Sequence, residues 1–267
     1  MGKASRVKRE RKEDPRGKRA SQSHLLMTLT NEPFQPVRLY YSMLDRLRVS
    51  KMLGSLECIT EVPEERCWQW LFQAEAASLR FGGGYEDVPK EKRPIILARV
   101  YFPTDSRMVL QTNSLERAIV AAHFFAPYLG TECTAIRCRI VNRLFAAEEG
   151  RLEELMKTLD HNVTVIDPRE AEAAFAQDFA DVQTMAGAEQ IATERLERRL
   201  QRKEDVPLVE DFPLAPEEET PDFTHLRFTL QLRLLRAMEL AVDVDGWASD
   251  GLIGLLRQRR SFRQRNS

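Results

Sequence analysis

Arginine, tyrosine and glutamine recur at alternate positions in three short runs rich in β-formers. Residues 94–102 (PIILARVYF) carry Arg99 and Tyr101, 107–112 (RMVLQT) carry Arg107 and Gln111, and 131–141 (TECTAIRCRIV) carry Arg137 and Arg139. A period of two sends alternate side chains to opposite faces of a strand. These residues therefore share one surface, and Ile96, Ala98, Val100, Phe102, Met108, Leu110, Ile136, Cys138 and Ile140 share the other. Guanidinium groups grip phosphate oxygens in bidentate fashion, and a phenol ring offers a face on which a base stacks. Arg99, Tyr101, Arg107, Arg137 and Arg139 thus predict a surface for a phosphate backbone and a stacked base. The structural alternative is that helical segments at 168–204 or 223–242 cover this face and pair its arginines with their acids.

A second basic set lies at the chain ends. Residues 1–22 hold Lys3, Arg6, Lys8, Arg9, Arg11, Lys12, Arg16, Lys18 and Arg19 against three acids, and 257–265 hold Arg257, Arg259, Arg260, Arg263 and Arg265 with none. The overall formal charge of −1 conceals a body of 26 bases and 38 acids between these ends. Cationic ends on an anionic body suit a polyanionic partner, bound by charge neutralisation with little choice of sequence. The same residues are also consistent with a solubilising tail, or with a nuclear address around Lys8-Arg9-Glu10-Arg11-Lys12 in a eukaryote.

Other chemistry is not spelled out. Cys58, Cys67, Cys133 and Cys138 have no paired C-x-x-C spacing. Strict alternation sets Cys133 and Cys138 on opposite faces of their strand, so no metal or cofactor is expected, and the thiols read as buried and reduced. Gly82-Gly83-Gly84 is not followed by Gly-Lys-Ser/Thr and reads as a hinge or helix stop. Asp243-Val244-Asp245-Gly246 lacks the spacing of a calcium loop. His123 reads as a core or boundary histidine. Trp68, Trp70 and Phe72 interleave as core or partner-helix surface. The third strand, RMVLQT, lacks the aromatic residues of the RNA-recognition motif, so the Arg surface is not that motif.

The elements that must position these groups emerge from periodicity and punctuation. Residues 1–24 read as a disordered basic arm. Leu39, Tyr40, Met43, Leu44, Leu47 and Met52 have helical spacing, stopped by Gly54. Then come a strand at 56–62, a helix at 63–81 opened by Pro63, a hairpin of 94–102 with 107–112, a helix at 115–129 capped at Asn113 or Ser114, and a strand at 131–141. The order β-α-β-β-α-β predicts an α+β, ferredoxin-like split βαβ core within a domain spanning 25–167. An amphipathic helix at 148–160 and an edge strand at 162–166 complete that domain. Beyond it the expectation is a long helix at 168–204, an acidic proline-rich linker at 205–222, a helical segment at 223–256 and a basic tail at 257–267. Residues 223–242 fit either a strand or a helix up to Leu234, and only the helical repeat continues to Met238 and Ala241.

The expected function is non-enzymatic binding of nucleic acid, RNA or DNA, or of a ribonucleoprotein through the basic ends, aided by the sheet arginines. The alternative is a scaffold subunit that docks a protein partner through residues 168–242. No apolar run reaches the roughly 18–20 residues that span a bilayer, and the N-terminus lacks an apolar signal region. The expected place is the cytoplasm, or the nucleus if the host has one.

Overall fold

The computed structural model describes residues 24–167 and 207–214, with positions 226, 227, 229–231, 233, 234, 237, 238 and 241. The basic ends, the expected helix at 168–204 and the Asp243–Gly246 turn lie outside the described residues.

One eight-stranded sheet organises the molecule, and it replaces the expected ferredoxin-like core with long C-terminal helices. In chain order the elements are β1 (Val37–Met43), α1 (Arg46–Leu53), β2 (Ile59–Val62), β3 (Cys67–Leu71), β4 (Ile96–Thr104), β5 (Arg107–Thr112), α2 (Leu115–Leu129), β6 (Cys133–Val141), α3 (Leu152–Met156), β7 (Val163–Val165) and β8 (Val209–Pro213). In space the strands run β2-β3-β4-β5-β1-β6-β8-β7. Every neighbouring pair is antiparallel except β7 and β8, which are parallel.

Three stretches account for the difference. Residues 37–43 form a central strand rather than the start of a helix. VRLYYSM buries Val37, Leu39, Tyr41 and Met43 in alternation, and β-branched and aromatic side chains suit a pleated surface. Helical structure begins only after this strand, where Asp45 caps α1 by accepting from the backbone N–H groups of Leu47 and Arg48. Residues 63–81 form no α-helix. A 3-10 turn at Pro63–Glu65 leads into β3, and a second spans Ala74–Ser78. The alternation of Trp68, Trp70 and Phe72 decides that segment. Third, the acidic proline-rich stretch contains β8, inserted between β6 and β7, in which Val209 and Phe212 are buried.

The hairpin β4–β5, α2, β6 and the edge strand β7 lie where periodicity puts them. Ser114 caps α2, its hydroxyl accepting from the Arg117 N–H at 3.2 Å. Helix α2 lies on one face of the sheet, where Leu115, Ala118, Ala122 and Phe125 join Leu39, Leu110, Cys138 and Ile140 in a single core. Trp70 stacks on Phe124 and meets Phe125 edge-on, each with centroids 5.1 Å apart. The described positions of 226–241 are helical, and Leu226, Leu230, Leu234, Ala237, Met238 and Ala241 are buried in the same core. Phe212 belongs to that core too, and Arg233 lies over its ring. Phe212 is paired with Cys138, so the described positions of 226–241 pack on the α2 side of the sheet.

A buried polar cluster fastens the segment before β1 to this framework. Glu32 has no exposed side chain and Arg117 almost none. Arg117 Nε donates to Glu32 at 2.9 Å, Nη2 to Thr30 at 2.8 Å and Nη1 to the Ile96 carbonyl at 3.1 Å. Thr28, Thr30 and Ser114 also donate to Glu32. The buried charge is thereby fully hydrogen-bonded, the condition under which such a pair persists in a core.

Candidate nucleic-acid interface

The face of the sheet turned away from α2 carries the predicted arginines, and strand register sorts them into two rows. The first runs Gln69–Arg99–Gln111–Arg38–Arg139 across β3, β4, β5, β1 and β6. The second runs Cys67–Tyr101–Val109–Tyr40–Arg137 across the same strands. Arg107, two residues before Val109, is exposed on β5 and pairs in register with Ser42. Sequence alternation thus brings Arg99, Tyr101, Arg107, Gln111, Arg137 and Arg139 to one surface. It misses Arg38 and Tyr40, which occupy the middle of that surface, because an apparent helical spacing hides the strand at 37–43. The signal that finds them is the strict alternation of Val37, Leu39, Tyr41 and Met43.

Each of four arginines has a carboxylate neighbour. Arg99 Nε lies 3.3 Å from Glu65, both half exposed to solvent. Arg38 donates to Gln111 Oε1 at 2.6 Å and through both terminal nitrogens to Asp160. Arg137 and Arg139 share Asp211, at 2.8 and 2.7 Å, and that carboxylate is 4% exposed. Arg139 also lies over the Tyr40 ring, 5.3 Å from its centroid. Together with Arg107 these guanidiniums outnumber their carboxylate partners Glu65, Asp160 and Asp211 among the described residues, so positive charge remains in excess. The hydrogen bond from Arg38 holds the Asp160 carboxyl below its usual range.

The chain matches no protein family, no curated protein and no solved structure.

Away from the arginine face, the cysteines depart from strict alternation. A bulge in the β1–β6 pairing, between Tyr40 and Tyr41, shifts the register so that Cys138 opposes Leu39 and Cys133 opposes Met43. Both thiols therefore face the α2 side, because the extra residue absorbs the odd step. All four cysteines are buried. Burial pushes the Cys58 and Cys133 thiols up to about 12 and raises Cys138 further. Thiols in that state carry almost no thiolate at neutral pH and make poor nucleophiles. Among the described residues no cluster of His, Cys, Asp and Glu could hold a metal, and no helix is long and apolar enough to cross a membrane. His123 sits exposed on α2 rather than in the core. Gly82 packs against the Asn31 carbonyl, where a Cβ would fall 2.3 Å from that oxygen. The glycine run is thus a site of close backbone approach.

Proposed function

We propose that the protein binds nucleic acid, alone or within a ribonucleoprotein, through its cationic ends and the arginine-bearing face of its sheet. The observation that carries this reading is the register-aligned row Arg99–Gln111–Arg38–Arg139, flanked by Tyr101 and Tyr40, on the face opposite α2. Guanidiniums beside phenols form the side-chain set that serves phosphate and base together. Lys3 to Arg19 and Arg257 to Arg265 add sequence-independent attraction. Against the scaffold alternative stands the burial of Leu226, Leu230, Leu234, Ala237, Met238 and Ala241 in the chain's own core. That alternative keeps a different feature in its favour: Leu44, just before α1, and Leu47, in its first turn, are 79% and 81% exposed.

The test compares the full chain with variants lacking 1–22 or 257–267 and with Arg99→Glu plus Arg38→Glu, using a labelled RNA across a salt series. Each phosphate contact contributes about −0.7 to −0.9 to the slope of log affinity against log salt. Removing the ends should flatten the slope by several units, and the sheet variant by one or two. Unchanged affinity and slope in every variant would refute the proposal and leave the scaffold reading.

A further inference from the structure

We infer that the arginine face takes a single strand, not a duplex, laid across the β-strands from β4 to β1. This rests on the nucleic-acid reading above and adds the form of nucleic acid that the sheet accepts. The reason is a repeated unit. On β4, Arg99 precedes Tyr101 by two residues, and on β1, Arg38 precedes Tyr40 by two. Register aligns Arg99 with Arg38 and Tyr101 with Tyr40 through Gln111 and Val109 of the intervening β5. Both β4 and β1 are antiparallel to β5. They therefore run in the same direction, and the two Arg–Tyr units have the same polarity.

Side chains two apart on a strand are separated by about 7 Å, and residues two strands apart by about 10 Å. Two nucleotides of one strand, entering with the same backbone direction, can each set a phosphate on an arginine and a base against a tyrosine, beside Arg139 in the case of Tyr40. A duplex cannot do this. Its base faces are stacked inside, out of reach of the two tyrosines.

The acids divide the arginines by availability. Asp211 is buried and keeps Arg137 and Arg139. Glu65 and Asp160 are 49% and 51% exposed, whereas Arg38 is 18% exposed and Arg99 37%; the Arg99–Glu65 pair is thus the one open to solvent on both sides, and such a pair is weak enough for a phosphate to replace the carboxylate. Arg99 is thus the readier phosphate ligand, and Arg38 becomes one when the phosphate displaces Asp160.

The experiment titrates the full chain with a labelled single-stranded octanucleotide and with a duplex of the same sequence. Tyr40→Ala and Tyr101→Ala should each weaken single-strand binding about 5- to 100-fold and leave duplex binding, set by the chain ends, unchanged. Tyr40→Phe and Tyr101→Phe should keep single-strand affinity, and Asp160→Asn should raise it. If the alanine variants leave single-strand binding intact, or weaken duplex binding equally, the inference is overturned while nucleic-acid binding by the ends stands. Should those variants unfold, Asp160→Asn decides: single-strand affinity that does not rise overturns it. Absence of any binding to either probe defeats the broader reading instead.

Discussion

Arg117 and Glu32 illustrate how single residues hold this molecule together. Their ion pair is buried, and every nitrogen of the guanidinium has an acceptor among Glu32, Thr30 and the Ile96 carbonyl. Arg117→Ala strands the Glu32 carboxylate, and breaking such a pair costs about 3–5 kcal/mol. Urea unfolding should show that loss. Asp160 behaves differently, because it is half exposed and hydrogen-bonded by Arg38 at the surface. Its carboxyl titrates below the ordinary range when Arg38 donates to it. The stabilisation is therefore complete above about pH 4, the unfolded value, and disappears as pH falls through the depressed native one. Wild type and Asp160→Asn should differ in urea midpoint at pH 7 and converge once the pH lies below the depressed native value, and a gap that persists in strong acid contradicts the assignment. Arg99, Tyr101, Arg107, Arg137 and Arg139 were legible from alternation because their strands are amphipathic and short. Glu32 and Arg117 were not, because a buried pair joins positions 85 residues apart and leaves no local signature.

At the level of elements, the boundary between a strand and a helix was the hardest feature to read. Residues 37–53 contain β1, a capping Asp45 and α1 in immediate succession, so a window across them averages two periods into an apparent helix. Leu44 and Leu47, which that average places on an apolar face, are exposed. The Trp68–Trp70–Phe72 run misleads for a similar reason, because Pro63 opens a single 3-10 turn and not a helix. The bulge opposite Tyr40 has no sequence signal at all, and it alone moves Cys133 to the α2 side. Residues 226–241 were legible because the helical repeat outlasts the alternating one. Their burial gives a direct check: Leu230→Ala should cost about 2–5 kcal/mol in thermal or urea unfolding. A segment waiting for a partner would lose nothing.

The whole molecule joins an anionic body to cationic ends, and its sheet presents opposite characters on its two faces. One face is covered by α1, α2 and 226–241 and is apolar. The other carries Arg38, Arg99, Arg107, Arg137 and Arg139 with two tyrosines, and at its β6–β8 end Val141 and Val209 pack with Leu155 and Leu159. That division comes from the period-two pattern of β1, β4, β5 and β6, whereas the strand order depends on long-range pairing that no local pattern encodes. The parallel pair β7–β8 bears on how the chain assembles during synthesis. Among the described residues β7 is hydrogen-bonded to the sheet only through β8, and residues 166–208 separate the two in the chain. As the polypeptide leaves the ribosome, β7 emerges with no neighbour to pair with and must wait for residues 209–213. The margin of this sheet is therefore the last part to assemble, and a nascent chain stopped short of residue 209 leaves β6 as a bare edge, open to pairing with another copy.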